Sequence, residues 1–496
     1  MIKAHEEAYL ELDRRFDELK AMLQRFAVAG RPIHEAEENL FRRLLEMGRL
    51  ALEAFVAQQG TGDLGETVCH DDESLNRLDQ LHDRRYVSIF GELRIERTVY
   101  GTRETQKHEL IPLDARLNLP DSDFSYLLQS WDQRLCVQNA HRKSNETIQE
   151  ILGIGQSVRS LEHMNAAMAE DVTPFWESQP APPADEEGAI LVMAADGKGV
   201  PMCRGSADEP TKRGGGHRKK GEKANKKREA CVGAVYTIDP FLRTPRSVVD
   251  EVMREIRSAD RPEPQHKQLR AELSRELNGE QVKGKELVFS WFADQVEARD
   301  QRGEKPLVLI TDGDRGLQRL GATHLPEATI ILDIFHVMER IWDLAHCFYS
   351  EGSDAARDFV SEKLEGILNG AVGRVLGGIR QMATKRGLRS SRRRRLERAM
   401  NYLDNNRCYM DYKTYLARGF PIGTGVVEGA CRHLVKDRME LTGMRWTVDG
   451  AQAMLDLRSV FVNGDWEAFQ DHRIEENQHS LYPYRNLVQS EWRMAA

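Results

Sequence analysis

Two acidic residues stand at the ends of long apolar runs, where carboxylates could hold hard divalent cations. Asp312 follows the run Leu307–Thr311, and Asp196 follows residues 188–195. Each acid precedes a glycine, which permits a sharp turn. An uninterrupted apolar run bounded by such a turn is typical of a strand that is buried on both faces. A structural explanation stays open for each acid, because an aspartate at this point also serves as a turn residue or as the cap of the next helix.

The order of the predicted elements decides whether these two acids can meet. The apolar runs predict five strands, the last two joined by strand–helix crossovers, at residues 188–195, 231–238, 246–249, 307–311 and 329–332. Residues 250–300 are predicted to be largely helical. This order is that of an α/β ribonuclease-H-like core, in which the first and fourth strands are parallel neighbours. We therefore expect Asp196 and Asp312 to lie side by side.

The best candidate for a third acid is Glu428, which follows a glycine-rich loop at the start of a predicted helix. A lone glutamate among apolar residues is costly unless it has a partner or a metal, although the helix dipole also favours a glutamate in a first turn. Two aspartates and a glutamate suit Mg²⁺ or Mn²⁺. Two such ions can activate a water or a 3′-hydroxyl and hold the leaving oxygen of a phosphodiester. The predicted metal ligands and catalytic residues are therefore Asp196, Asp312 and Glu428.

Further residues near these acids are expected to support the site. Asp333 and His336 lie three positions apart at the start of a predicted helix and therefore face one side of it. We favour a supporting or phosphate-contacting role for His336 over zinc binding, which would need more ligands than the sequence offers, and a purely structural role stays open. Asp314 is a rival to Asp312 as a metal ligand, and Arg438 is a further supporting candidate.

Two dense basic segments predict contact with a polyanion, although the net charge of the 496-residue chain is −8. Residues 212–228 carry nine Lys or Arg against one Glu, and residues 385–398 carry eight against one. Such density is unfavourable unless phosphates neutralise it, although a solvated loop also explains the first segment. The predicted helix after Glu428 adds a basic face of Arg432, Lys436 and Arg438. The residues expected to contact DNA are Lys212, Arg213, Arg218, Lys219, Lys220, Arg392, Arg393, Arg394, Arg395, Arg432 and Lys436.

The N-terminal part of the sequence is predicted to contain two helices and a β-hairpin. The helices occupy residues 1–58 and are separated at residues 29–32, because their apolar positions recur at three and four. Residues 85–101 alternate between apolar and polar like a hairpin. This hairpin presents either a DNA-facing ribbon or a solvated sheet face, and its outward positions are predicted to be Arg84, Arg85, Arg94 and Arg97.

A second helical pattern follows the hairpin. One helix ends at Gly153, a short turn follows, and Ser157 can cap a second helix over residues 158–170. This spacing is typical of a DNA-reading helix-turn-helix, although any helical hairpin shows it. Arg159 lies near the start of the second helix, where base contacts would fall.

The composition bears on the compartment in which the protein works. No apolar run is long enough for a membrane span, and the charged, helical N-terminus differs from a signal peptide. The seven cysteines are scattered singly without a CxxC pair, which argues against a zinc ribbon and favours reduced thiols. We therefore expect a cytoplasmic, nucleoid-associated protein.

In combination, several segments resemble the bacterial insertion-sequence DDE transposases of the ISKra type, which are relatives of the Mutator-like transposases. The resemblance extends from residue 84 to about residue 461. In the Mutator relatives a Cys-x-x-His pair commonly follows the second aspartate, whereas Asp333 takes the first place here. The segments that carry the resemblance are Met193–Gly197, Thr311–Asp314, Ile331–Val337 and Gly423–Gly429, with Arg438 and Trp446.

The resemblance implies an enzyme that cleaves the ends of an insertion sequence and transfers the freed 3′-hydroxyl to target DNA. It implies a triad of Asp196, Asp312 and Glu428 with two Mg²⁺ or Mn²⁺ ions, and it adds Trp446 to the expected DNA contacts. The expected partners are the terminal inverted repeats, target DNA and a second copy, as a homodimer or larger assembly on DNA, with no membrane. The alternatives are a catalytically inactive, transposase-derived DNA-binding protein and a ribonuclease-H-like nuclease without strand transfer. The intact set of acids argues against the first alternative.

The expected organisation is a ribonuclease-H-like core with a large all-helical insertion, preceded by a mostly helical DNA-binding region that contains the β-hairpin. The proline-rich segment Ser178–Glu187 is the clearest linker. The predicted domains are residues 1–60 (helical hairpin), 66–177 (β-hairpin and helix-turn-helix region), 186–337 (first part of the core), 338–418 (helical insertion), 419–462 (second part of the core) and 463–496 (C-terminal tail).

Overall fold

The computed structural model describes residues 2–70, 73–101, 110–203, 227–254, 261–441 and 443–491. The chain forms two compact units: Met1–Phe175 with Asp465–Ala496, and Trp176–Gly464. None of the helices in the described ranges combines the length and the apolar character that a bilayer crossing requires. The predicted DNA contacts that lie outside the described residues are Lys212, Arg213, Arg218, Lys219 and Lys220.

The first unit combines two long helices, short strands and shorter helices. Its strands are β1 (Thr67–His70), β2 (Glu73–Arg77), β3 (His82–Ser88), β4 (Gly91–Arg97) and β5 (Tyr100–Gly101). Its first helices are α1 (Ile2–Val28), α2 (Ile33–Gln59), α3 (Pro112–Leu117), α4 (Tyr126–Cys136), α5 (His141–Leu152), α6 (Val158–Glu170) and, reaching past the unit boundary, α7 (Val172–Ser178).

The helices predicted in residues 1–58 and the predicted hairpin, formed by β3 and β4, are confirmed. The prediction that Arg84 and Arg97 point outward is wrong. Both guanidinium groups bind the buried carboxylate of Asp114, at 2.8 and 2.5 Å. The two arginine side chains point inward because a buried carboxylate needs charged partners. The other two arginines, Arg85 and Arg94, are exposed.

The helical pair predicted after the hairpin is also present. α5 ends at Gly153, which has a positive φ of 75°, and the side chain of Ser157 caps α6 by accepting a hydrogen bond from the main-chain N–H of Ser160. Arg159 is exposed in the first turn of α6. Whether this pair reads DNA stays a prediction.

The second unit is built around a mixed sheet with helices. Its strands are β6 (Ile190–Pro201), β7 (Lys227–Ile238), β8 (Gln265–Leu273), β9 (Arg275–Leu277), β10 (Glu280–Val282), β11 (Leu307–Thr311) and β12 (Thr329–Leu332). Its helices are α8 (Pro245–Val252), α9 (Gly284–Arg299), α10 (Arg315–His324), α11 (Ile334–Phe348), α12 (Asp354–Leu368), α13 (Val372–Lys385), α14 (Ser390–Asn405), α15 (Tyr412–Ala417), α16 (Gly425–Ala430), α17 (Asp437–Met439) and α18 (Val448–Asn463).

In the described part of the second unit, five strands form one sheet in the order β12-β11-β6-β7-β8. β11 is parallel to both β6 and β12, whereas β7 is antiparallel to β6 and β8. The predicted parallel pairing of the first and fourth strands is therefore found. Buried Met193 of β6 and Leu309 of β11 share an apolar cluster with Phe289 of α9.

The third strand lies elsewhere than predicted. Residues 246–249 belong to α8, because Thr244 and Ser247 form a capping box at its start and Pro245 occupies its first turn. The third strand of the sheet is β8, within the stretch 250–300 that was predicted to be largely helical. Its side chains alternate in burial towards its end, where Leu269, Ala271 and Leu273 are buried and the polar residues between them are partly exposed.

Residues 338–418 form helices, as predicted, and contain most of α11 and all of α12 to α15. Buried leucines such as Leu364, Leu376 and Leu403 lie in three of these helices.

The predicted C-terminal tail is helical, with α19 (Trp466–Leu481) and α20 (Arg485–Glu491), and it belongs to the first unit. There Tyr482, Tyr484 and Val488 share an apolar cluster with Leu75 and Tyr100.

Candidate active site

Asp196 and Asp312 are brought together by strand register. The last residue pair between β6 and β11 is Ala195↔Thr311, so the two aspartates follow directly on neighbouring parallel strands. Asp196 was expected at a strand end before a turn, and this expectation is wrong, because β6 continues to Pro201 in register with β7. On one side of β6, the antiparallel strand β7 pairs with it as far as Pro201, whereas on the other side β11 pairs with it only as far as Ala195. Asp196 therefore lies beside the point where β11 ends.

The helix of Glu428 lies against Asp196. Cys431 is three residues further along this helix, and its Sγ donates to Oδ2 of Asp196 at 3.4 Å. The six residues Cys431–Lys436 form a π-helical segment between α16 and α17. Such segments occur often at functional sites. This contact joins two predicted ligand segments that are more than 200 residues apart in sequence.

Glu428 also lies close to the Asp333–His336 pair. One potential ligand atom from each of Asp333, His336 and Glu428 lies within 4.8 Å of the other two. Asp333 follows β12 and is fully buried. Its oxygens accept hydrogen bonds from the Phe335 main-chain N–H and the Thr424 hydroxyl, and His336 Nδ1 lies 3.4 Å from Oδ2. Since Asp333 already has these partners, its geometry favours orienting His336 and the glycine-rich loop.

Burial and nearby acids raise the pKa values of two acids of the site, Asp312 and Glu428. Burial raises the pKa of Asp312, and the charge of Asp196 raises it further. Burial also raises the pKa of Glu428, followed by the charges of Asp333 and Asp196, while His336 lowers it. The hydrogen bond with Asp333 raises the pKa of His336 to about 9, so this imidazole is positively charged at neutral pH.

These residues fit a hard divalent cation. Oxygen ligands from several carboxylates are what Mg²⁺ and Mn²⁺ prefer. Burial and the charge of Asp196 raise the pKa values of both Asp312 and Glu428, and a bound cation would favour their charged forms. Among the described residues, Asp333, His336 and Glu428 bring three potential ligand atoms within 4.8 Å of one another, whereas Asp196, Asp312 and Glu428 do not form such a group. The assignment of Asp196, Asp312 and Glu428 as metal ligands stays a prediction.

Asp314, the rival to Asp312, has other partners. It caps α10 by accepting from the main-chain N–H groups of Gly316 and Leu317, and Lys285 Nζ lies 3.0 Å from its Oδ2. Although burial raises the pKa of Asp314, the hydrogen bond and charge of Lys285 and the N–H groups of α10 together outweigh it, and the pKa lies below its ordinary value. This geometry favours Asp312 as the ligand.

Tyr402 of the helical insertion contacts the loop that carries Asp312. Its hydroxyl donates to the main-chain carbonyl of Asp312 and lies where a Cβ at Gly313, which has a φ of +88°, would fall. A second tyrosine, Tyr412, donates to the carbonyl of Leu332 at 2.6 Å, next to Asp333. The sequence analysis missed both tyrosines, because a hydrogen bond to a distant carbonyl has no local pattern.

The predicted DNA contacts in the second unit have different surroundings. Arg392 to Arg395 are exposed on α14, but Arg393 pairs with Glu397 and Arg395 with Asp343. Arg432 and Lys436 are exposed beyond Glu428.

The assignments of Trp446 and Arg438 are corrected by the structure. Trp446 was expected to contact DNA, but it is buried, and its indole N–H donates to the carbonyl of Met439 at 3.1 Å. The guanidinium of Arg438 lies 5.0 Å from the centre of the Trp446 ring and donates to Met444 Sδ. Arg438 is fully buried and so does not belong to the exposed basic face. The ring and the cation stabilise this part of the fold together.

No protein-family model matches the chain, and no curated protein matches it.

Proposed function

We propose that the chain is a DDE transposase that cleaves DNA strands at the ends of an insertion sequence and joins the freed 3′-hydroxyl to target DNA. The observation that supports this function most is the approach of the Glu428 helix to Asp196, through Cys431, beside the strand that leads into Asp312. Three acids from distant parts of the sequence thus approach the same edge of one sheet. Asp196, Asp312 and Glu428 would hold two Mg²⁺ or Mn²⁺ ions.

The cations, when bound, supply a Lewis acid that lowers the pKa of an attacking water or 3′-hydroxyl and stabilises the leaving oxygen. The protein's own residues orient the metal ligands and the DNA. Asp312 is held by the N–H of Asp314, which donates to its Oδ1 at 2.9 Å, and by Tyr402 at its carbonyl. Asp333 holds His336, whose positive charge can contact a phosphate of the DNA backbone.

DNA would be bound by exposed cations in both units. In the second unit the exposed candidates are Arg392 and Arg394 on α14, with Arg432 and Lys436 after Glu428. In the first unit, α6 with Arg159 supports a role in reading the ends of the element. A nuclease without strand transfer would use the same acids, and therefore the experiment must separate cutting from joining.

The test uses DNA that carries the coding region of this chain with its native flanks. The full-length protein is incubated with this DNA and supercoiled plasmid, in Mg²⁺ or in Ca²⁺. We expect cleavage and joined products in Mg²⁺, and binding without cleavage in Ca²⁺. Asp312→Asn should abolish cleavage and keep DNA binding. The matched control is Asp358→Asn, an exposed acid on α12, which should keep full activity.

Each other outcome contradicts one part of the proposal: strand transfer, cleavage or the role of Asp312. Cleavage without joined products would make the protein a nuclease. Binding by the wild-type chain without cleavage in Mg²⁺ and Mn²⁺ would make it a DNA-binding protein. Full cleavage by Asp312→Asn would remove this residue from the site.

A further inference from the structure

The helical hairpin of α1 and α2 exposes an unusual share of the protein's large apolar side chains. Of the fifteen such side chains that are exposed in the described residues, nine lie in this hairpin. Its buried residues, among those whose burial is described, are Leu19, Met22 and Ala54. So little burial leaves much apolar area in water, and an exposed apolar face of this kind marks an interaction site. The exposed side chains are Tyr9, Leu10, Phe16, Leu23, Val28, Ile33, Phe41, Leu44 and Phe55.

The pattern along α1 identifies the kind of partner. Apolar residues alternate at spacings of three and four, the repeat of a helix that packs along another helix. α1 packs against α2, and Leu19 is buried, but Tyr9, Phe16 and Leu23 of the same repeat are exposed. α1 therefore has room for a second helix on its flank. The residues of the repeat are Tyr9, Leu12, Phe16, Leu19, Leu23 and Phe26.

The spacing and charge of this flank match an antiparallel copy of itself. Tyr9 and Leu23 are each seven positions from Phe16, so a two-fold axis at Phe16 places Tyr9 against Leu23 of a second copy. Along the same edge, Asp13 and Lys20 are exposed. The axis places Asp13 opposite position 19 of the other copy, next to Lys20 of that copy. By symmetry, the same pair forms a second time. Opposite charges beside an apolar seam set the orientation of paired helices.

We propose that α1 is a self-association surface through which two copies of this chain pair, antiparallel, in the absence of DNA. The pairing covers the exposed stripe of Tyr9, Phe16 and Leu23. It does not depend on the proposed catalytic function, because it uses none of the acids of the site.

The first test measures the mass of the full-length protein in solution without DNA or divalent ions. We expect twice the mass of one chain. Phe16→Glu places two charges on the axis and should give single chains, with unchanged helix content by circular dichroism. The matched control is Val28→Glu, at a side chain that is 91% exposed and off the stripe, and it should leave the mass doubled. A single-chain mass for the wild type, or a doubled mass for Phe16→Glu, would overturn the proposal.

The second test decides the orientation by exchanging charges. Asp13→Lys and Lys20→Asp should each weaken pairing, about tenfold, because each places like charges opposite one another. The double variant should restore it, since the opposite charges meet again. Failure of the double variant to restore pairing would overturn the antiparallel arrangement.

Discussion

The hydroxyl of Tyr402 donates a hydrogen bond to the main-chain carbonyl of Asp312. Tyr402 lies on α14, the helix whose first turns carry the arginines Arg392 to Arg395. The same helix thus carries exposed cations at one end and a contact to a predicted metal ligand at the other. Arg340, whose guanidinium lies 5.0 Å from the centre of the Tyr402 ring, holds the tyrosine from a neighbouring helix.

Tyr402→Phe should lower the rate of Mg²⁺-dependent cleavage about 10- to 100-fold, because a small displacement of a catalytic group costs a rate factor of that order. The affinity for DNA in Ca²⁺ should not change, since the hydroxyl binds the protein's own main chain. Tyr349→Phe, in the same insertion but at the far end of α11, is the control. Equal rates for both variants would show that the contact does not position Asp312.

Asp312 and Asp314 should differ in Mn²⁺ binding. Asp312→Asn should lower Mn²⁺ affinity at least tenfold, because it removes a charged oxygen ligand. Asp314→Ala should keep the affinity and cost about 1 kcal/mol of stability, because it removes the side chain that caps α10. Titration calorimetry with Mn²⁺ and thermal unfolding measure the two effects. The reverse pattern would make Asp314 the ligand.

Asp114 should be essential for the stability of the first unit. Asp114→Asn leaves the cations of Arg84 and Arg97 buried without their counter-charge, and it should cost about 3–5 kcal/mol. Glu92→Gln removes the exposed partner of Arg85 and should cost less than about 1 kcal/mol. Hydrogen exchange of the β3–β4 amides in the full chain measures both. A small effect for Asp114→Asn would mean that the two cations find other partners.

Asp132 should make the first unit less stable as the pH rises. Burial raises its pKa to about 7, and the hydrogen bond from Gln156 opposes this only in part. The unfolded chain has a pKa near ~3.9 for this group. The folded state therefore binds the extra proton, and the stability is fully present below pH ~4 and is lost as the pH rises to about 7.

Asp132→Asn should remove this dependence. At pH ~8 the variant should be more stable than the wild type by up to about 4 kcal/mol, and the difference should shrink towards pH ~5. Hydrogen exchange of α4 at both pH values measures it. Asp79→Asn, an exposed acid of the same unit, is the control and should show no such difference. A variant that follows the wild type at every pH would show that Asp132 is charged in the folded protein.

The sequence predicts those parts of this fold that rest on local patterns. The strands at 307–311 and 329–332 are confirmed, because a strand buried on both faces must be apolar throughout. The edge strand β8 was missed, because it is polar on one face. The first turns of α8 were predicted as a strand, because the adjacent residues Val248 and Val249 are typical of strands. Among the predicted site residues, the neighbourhood of Asp196 and Asp312 follows from strand order alone. The ribonuclease-H-like assignment stays a prediction.

Long-range partners could not be predicted in this way. Nothing near Tyr402 in the sequence indicates that its hydroxyl binds the carbonyl of Asp312, and nothing near Arg84 indicates Asp114. In each case the two polar groups pair because both are at least partly buried, and which groups are buried depends on the finished fold.

The first unit is assembled from the two ends of the chain, and this affects how the protein folds during synthesis. Tyr482, Tyr484 and Val488 complete the apolar cluster around Leu75 and Tyr100. A ribosome must therefore translate the whole of the second unit before this cluster can close. Until then the apolar residues Leu75 and Tyr100 lack their C-terminal partners. The second unit can therefore fold before the first unit is complete.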